Sequence, residues 1–261
     1  MKQLLIIISL FFSTLAWSAP KSELWPYWNQ SNEANSEQVS HQSWQQFLDS
    51  YLVKQGQNTL VRYQAVTATD KSKLKQYIKQ LEQVNPLEYS KAEQYAYWAN
   101  LYNAVTVDLI LDAYPVKSIT KLGGLFSFGP WGDDAVSVNG KPLTLNDIEH
   151  RILRPIWQDP RTHYAVNCAS LGCPNLQSQA FTSDNTETLL EQAASEFVNS
   201  DKGVVLVKGN KLQLSSIYEW FAVDFGNQQQ LIQHLNQYRV EPVKNTDKIS
   251  YDYDWSLNQA K

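Results

Sequence analysis

The chain is poor in the residues that most often carry chemistry. Its 261 residues include two cysteines and four histidines. It has no basic cluster and a net charge of −4, which argues against nucleic acid as a partner, because phosphate binding needs concentrated lysine and arginine. The adjacent Gly123-Gly124 pair does not have a phosphate-cradling spacing, so a nucleotide loop is rejected. After the first residues, no apolar run approaches the roughly 20 residues that a spanning helix needs. A stable membrane anchor is therefore not expected. No internal repeat is visible, no linker follows residue 43, and no cofactor motif is identified.

Aromatic residues are plentiful. Hydrophobic residues make up 43%, with nine tryptophans and fourteen tyrosines, ample for a packed core. A mildly acidic, aromatic-rich chain suits a small-molecule or cell-envelope ligand better than a polyanion. The first residues read as an address. Lys2 supplies a short positive region, Leu4 to Leu15 an apolar one, and Ala16-Trp17-Ser18 a small-residue cleavage site after Ser18. No cysteine follows for lipid attachment. The reading is an exported protein, periplasmic or secreted, in a compartment that permits disulfides.

Residues 19–43 read as a flexible N-terminal arm whose apolar cluster is Trp25, Pro26, Tyr27 and Trp28. A helix is expected over about 43–54, a short strand over Leu60–Val66, and an amphipathic helix over Asp70–Val84. Ser90 and Glu93 form a capping box that opens a helix running to residue 113, before Pro115. That helix is apolar on nearly all sides, which marks it as central and buried. Asn100 and Asn103 on it must then find partners, either neighbouring backbone or a site.

The Gly/Phe/Pro-rich stretch 122–131 reads as an aromatic loop, a lid or a pocket wall. A hairpin follows over Val136–Leu143. Thr144 caps a helix that turns Ile148 and Ile152 inward, with Glu149 at the margin and His150 further round. Arg151 and Arg154 are expected to point away. Later come a helix over Thr186–Val198, a hairpin over 204–214, an aromatic helix over Ser216–Phe225, a helix over Gln228–Tyr238, and a final strand from Ile249. The fold class is α+β: a single globular domain over 44–258, with a central buried helix, a small, mainly antiparallel sheet and surrounding helices.

Both cysteines fall in one stretch, Arg161 to Pro174, which reads as a strand, His163–Val166, running into a tight polar loop. Three ordered motifs and a closing one are distinctive. They are Tyr97-Trp98-Ala99-Asn100-Leu101-Tyr102-Asn103-Ala104, Leu145 to Arg154, Asp159 to Ser170 with Cys173-Pro174, and Tyr253-Asp254-Trp255-Ser256-Leu257-Asn258. Over residues 44–258 the chain resembles domain-of-unknown-function family 547, and its closing motif resembles that family's bacterial exported members. The resemblance implies a domain and leaves its chemistry open.

Three readings of the loop remain. In the first, Cys168 and Cys173 form a disulfide in an exported binding or scaffold domain. In the second, Cys168 is the nucleophile of an acyl-transfer enzyme, an amide hydrolase or a transpeptidase-like one. His150 is then the base, Asn103 its orienter, and the loop N–H groups hold an oxyanion. Asn100, Glu149, Arg161, His163, Asn167 and Ser170 would contact the substrate. Glu149 is a poor orienter for its neighbour, because adjacent helical residues diverge by about 100°. Arg161 has a plain alternative in pairing with Glu149 or Asp147. In the third reading a cysteine joins His150 and His163 on a metal. The Cys-x4-Cys spacing is loose for zinc and no His-x3-His accompanies it, so no metal site is assigned. His41 and His234 sit in polar contexts and receive no role.

Overall fold

The molecule is built on α3 (Lys91–Ala113), which the computed structural model buries on almost every side. The structure describes residues 20–124, 128–209, 211–246 and 248–260. The leader expected over residues 1–18 lies outside them, as do residues 125–127 of the aromatic loop and Asn210 in the second hairpin. Ser90 caps α3 by accepting the Glu93 N–H at 3.3 Å. Tyr95, Trp98 and Tyr102 fill one face, and Ala96, Asn100 and Val107 the other.

Against α3 packs α2 (Ala68–Glu82), and α1 (Gln42–Tyr51) packs against α2. The first helix stops at Tyr51 rather than at 54. Leu52–Gln55 forms β1, which pairs antiparallel with β2 (Asn58–Val61) across Gly56, whose φ of 59° suits glycine. The strand expected to reach Val66 ends at Val61, because Tyr63–Ala65 turns as a single 3-10 turn. Strands β3 (Val136–Val138) and β4 (Lys141–Leu143) make the expected hairpin, turning at Asn139 and Gly140, both with positive φ.

Asp147–Leu153 winds as a π-helix and continues into α4 (Arg154–Trp157); α5 (Thr162–Ala165) follows. The remaining elements are α6 (Thr186–Val198), β5 (Val204–Val207), β6 (Lys211–Ser215), α7 (Ile217–Trp220), α8 (Ala222–Phe225), α9 (Gln228–Tyr238) and β7 (Ile249–Asp252). β5 pairs antiparallel with β6, and β7 adds parallel to β6. The class is α+β, with mainly antiparallel pairing in small sheets. Among the described residues no helix is long and apolar enough to cross a membrane.

Apolar packing is divided between two cores. The larger surrounds α3. The smaller joins α6, the β5–β6–β7 sheet and α9 through Phe197, Tyr218, Phe225 and Leu235. Trp28, from the N-terminal segment, is fully buried in the larger core and meets Trp98 edge-on at 5.1 Å.

Candidate functional site

A cavity of about 540 Å³ opens where the two cores meet. α3 contributes Tyr102, and the π-helix contributes Glu149 and His150. The stretch from α5 through the following loop brings His163, Cys168 and Cys173, and the 253–255 segment brings Tyr253 and Trp255. Trp131, Trp220 and Phe221 complete aromatic walls. Of the sequence-predicted residues, Glu149, His150, His163, Cys168 and Cys173 line this cavity, and Asn100, Asn103, Arg161, Asn167 and Ser170 do not.

The two cysteines are bonded to each other, so in this structure Cys168 is not the free nucleophile that the acyl-transfer reading requires. Other parts of that mechanism are also engaged elsewhere. Asn103 does not orient His150. It donates to the Ala165 carbonyl at 2.9 Å and accepts the Asn167 N–H at 2.8 Å. Asn100 grips the Phe181 backbone the same way, at 2.7 and 3.0 Å. Both amides are buried and hold one chain segment against another. The loop N–H groups are not arranged as an oxyanion hole. Leu171 donates to Ser256, Gly172 to Asp254 and Cys173 to Ser170. Cys168 N–H points to Cys173 Sγ, and Ala169 N–H to Asn167 Oδ1. Gly172 is required there, since an added Cβ would lie 2.8 Å from the Asp254 nitrogen.

The segment 163–166 is not a strand. Successive turns from Asp159-Pro160-Arg161 bond Thr162, His163 and Tyr164 to the carbonyls three residues back and wind the short helix α5. Arg161 points away from the cavity. It pairs with Asp159, Glu187 and Glu191, each at 2.6 Å, and not with Glu149 or Asp147.

The π-helix sets the polar end of the cavity. Its i→i+5 winding, seen where Arg154 N–H meets Glu149 O, turns neighbours through less than the ~100° of an α-helix. Glu149 Oε1 therefore lies 3.8 Å from Nδ1 of its own neighbour His150, and 3.7 Å from Nδ1 of His163. The same winding carries Arg154 inward, contrary to expectation. It is buried, and its Nε donates to Asp224 Oδ2 at 2.6 Å. Its Nη1 donates to His150 Nδ1 at 2.9 Å, which puts the His150 proton on Nε2. Asp224 also bonds His163 Nε2 at 2.7 Å, and Phe221 stacks on the His163 ring at 4.3 Å.

Burial pushes His150 down to about 4, so it is neutral at neutral pH. Burial alone would raise Glu149. The neighbouring His150, His163 and Arg154 outweigh it and hold the carboxyl at about 2. Asp224 is likewise opposed by burial, yet is held at about 2 by His163 and Arg154. Among the described residues, no group of three or more His, Cys, Asp or Glu side chains is placed to hold a metal ion.

At the opposite end, Tyr253 and Ser170 meet the disulfide. The Tyr253 hydroxyl lies 2.9 Å from Cys168 Sγ and 2.9 Å from Ser170 Oγ. Asn167 braces the loop from behind by donating to the Pro174 carbonyl at 2.7 Å. The sequence reading missed Asp224, Trp220, Phe221 and Tyr253 as site residues. Their signal was the aromatic density of 216–225 and the closing Tyr253-Asp254-Trp255 run. Trp131 fits the pocket wall expected of the aromatic loop.

A family model described as "Protein of unknown function, DUF547" matches residues 86–198. The likeness expected over 44–258 is thus found over that shorter span, which holds α3, the π-helix, the disulfide loop and α6. The match ends before Trp220, Tyr253 and Trp255. No curated protein and no solved structure matches the chain.

Proposed function

We propose that the chain is an exported binding domain of the cell envelope whose cavity takes a small organic cation. Export rests on the apolar leader and small-residue cleavage site at residues 1–18. One observation carries the ligand class. Glu149, kept ionised, faces a cavity whose other walls are mainly aromatic. The Arg154 charge is already matched by Asp224 at 2.6 Å, and His150 is neutral. The carboxylate shares His163, at 3.7 Å, with Asp224, so a further cation in the cavity would still find an acceptor there. A ligand bearing an ammonium head would supply that charge, and Trp131, Trp220 and Trp255 offer faces to its methyl groups. Cation–π contacts of this kind contribute about 0.5–2 kcal/mol each. The Cys168–Cys173 bond shapes the loop that floors the cavity.

The test is a titration of tryptophan fluorescence with benzyltrimethylammonium, with benzyl alcohol and benzoate as neutral and anionic counterparts. The cation should bind saturably, and Glu149→Gln should weaken it about tenfold, the loss of one buried charge contact. Equal binding of benzoate and the cation would rule the charge argument out.

A further inference from the structure

The disulfide is placed unlike a simple staple. Both half-cystines line the cavity, with Cα atoms 6.1 Å apart. Cys168 is partly exposed there, while Cys173 is buried beneath it. Hydrogen-bond donors converge on both sulfurs. Cys168 N–H points at Cys173 Sγ at 2.8 Å. Ser170 Oγ lies 3.1 Å from Cys168 Sγ, and the Tyr253 hydroxyl 2.9 Å from it.

The two hydroxyls are themselves 2.9 Å apart, so Cys168, Ser170 and Tyr253 form a triangle with a hydrogen-bond distance on each edge. A disulfide sulfur has no proton. Two hydroxyl protons must then serve three edges. A thiol at Cys168 brings the third proton and closes the ring. A thiolate there is a better acceptor still, since charge-assisted bonds are roughly twice as strong as neutral ones. Burial pushes the Tyr253 hydroxyl well up, so it remains a donor. Disulfide sulfur, by contrast, is a weak acceptor. The surroundings therefore favour the reduced pair over the oxidised one.

We propose that Cys168–Cys173 is a thiol–disulfide exchange site for a low-molecular-weight thiol entering the cavity. The thiolate of the incoming molecule attacks the exposed Cys168 Sγ. A bond forms between the two, the Cys168–Cys173 bond breaks, and its electron pair leaves on Cys173 Sγ. That sulfur is met by the Cys168 N–H and takes a proton from water. A second thiol then attacks the incoming sulfur of the mixed disulfide and releases Cys168 as a thiol. Two small thiols are oxidised to one disulfide, and the protein disulfide is reduced by the same two electrons. Run in reverse, the site oxidises thiols back through the same mixed disulfide. This assignment does not depend on the ligand proposed for the cavity.

The experiment uses the full chain, oxidised, in glutathione buffers of graded composition, with thiols counted by mass spectrometry and folding followed by circular dichroism. The folded protein should exchange, and Cys173→Ser should trap glutathione on Cys168. Tyr253→Phe and Ser170→Ala should each lower the ratio of reduced to oxidised protein at fixed buffer, Tyr253→Phe by about tenfold. Should one variant fail to fold, the other carries the comparison. A disulfide that yields to glutathione only after the chain is unfolded would establish a staple and overturn the proposal. So would a reduced-to-oxidised ratio unmoved in both hydroxyl variants.

Discussion

Asn103 ties α3 to the end of α5 and the loop that follows through one side chain. Its Nδ2 holds the end of α5 and its Oδ1 holds the N–H of Asn167, both inside the protein. Replacing it with alanine leaves a buried carbonyl and a buried N–H unmatched, each costing about 1–3 kcal/mol. Asn103→Ala should therefore lower the denaturant midpoint by an amount equivalent to about 2 kcal/mol or more, read from urea unfolding. A change of a few tenths would show that water takes over both bonds. The need for partners at Asn100 and Asn103 was legible in the sequence, because α3 is apolar on nearly all sides. Which backbone they would meet was not legible, since Phe181 lies 81 residues from Asn100. The histidines show the opposite failure. His41 has polar neighbours in sequence but is buried, with Nδ1 2.6 Å from the Tyr77 hydroxyl. His234 stacks on Tyr164. Neighbours in sequence are not neighbours in space.

The π-helix depends on the segment before α1. Pro155 has no N–H to offer the carbonyls behind it. Glu23 N–H reaches the His150 carbonyl at 2.9 Å, and Trp25 N–H reaches Arg151 at 3.0 Å. These bonds match carbonyls that a regular helix would satisfy internally. Trp28 anchors the segment against Trp98. Trp28→Ala should cost about 3–5 kcal/mol, as large aromatic truncations do, measured by thermal unfolding. A loss below about 1 kcal/mol would mean that the segment docks without contributing to the fold. The helices α2, α3 and α9, which have side-chain caps, and the amphipathic α6 were readable because their periodicity agrees with their packing. The π-helix was not. Its residues carry an ordinary helical pattern, and the winding that brings Glu149, His150 and Arg154 together shows no separate sequence signal. The short α5 was lost similarly, to the apolar run His163–Val166, which reads as extended unless the turn at Pro160 is weighed first.

Across the whole molecule, acid is the condition to which the fold is most exposed. Burial pushes His41, His150 and His234 down to about 4. In the unfolded chain each titrates near 6.5. Between those values the unfolded chain binds protons that the folded chain excludes, so stability falls as pH drops from about 6.5 to about 4. For the two most buried, His41 and His150, the loss is at most roughly 3 kcal/mol each. Glu149 and Asp224, held at about 2, add their own loss only as pH falls from about 4 towards that value. The unfolding midpoint should thus drop markedly between pH 7 and pH 4.5, ahead of carboxylate titration. A flat profile over that range would contradict neutral burial of the histidines.

Residues 253–258 lie against the disulfide loop and close the wall of the cavity, and Tyr253 reaches Cys168 across 85 positions of chain. The two cysteines are neighbours in sequence; the hydroxyl that governs one of them arrives much later. While the chain is being made, the pair is therefore free to oxidise before its regulator exists. The final segment, on docking, then converts an ordinary cross-link into one whose breaking the finished protein favours.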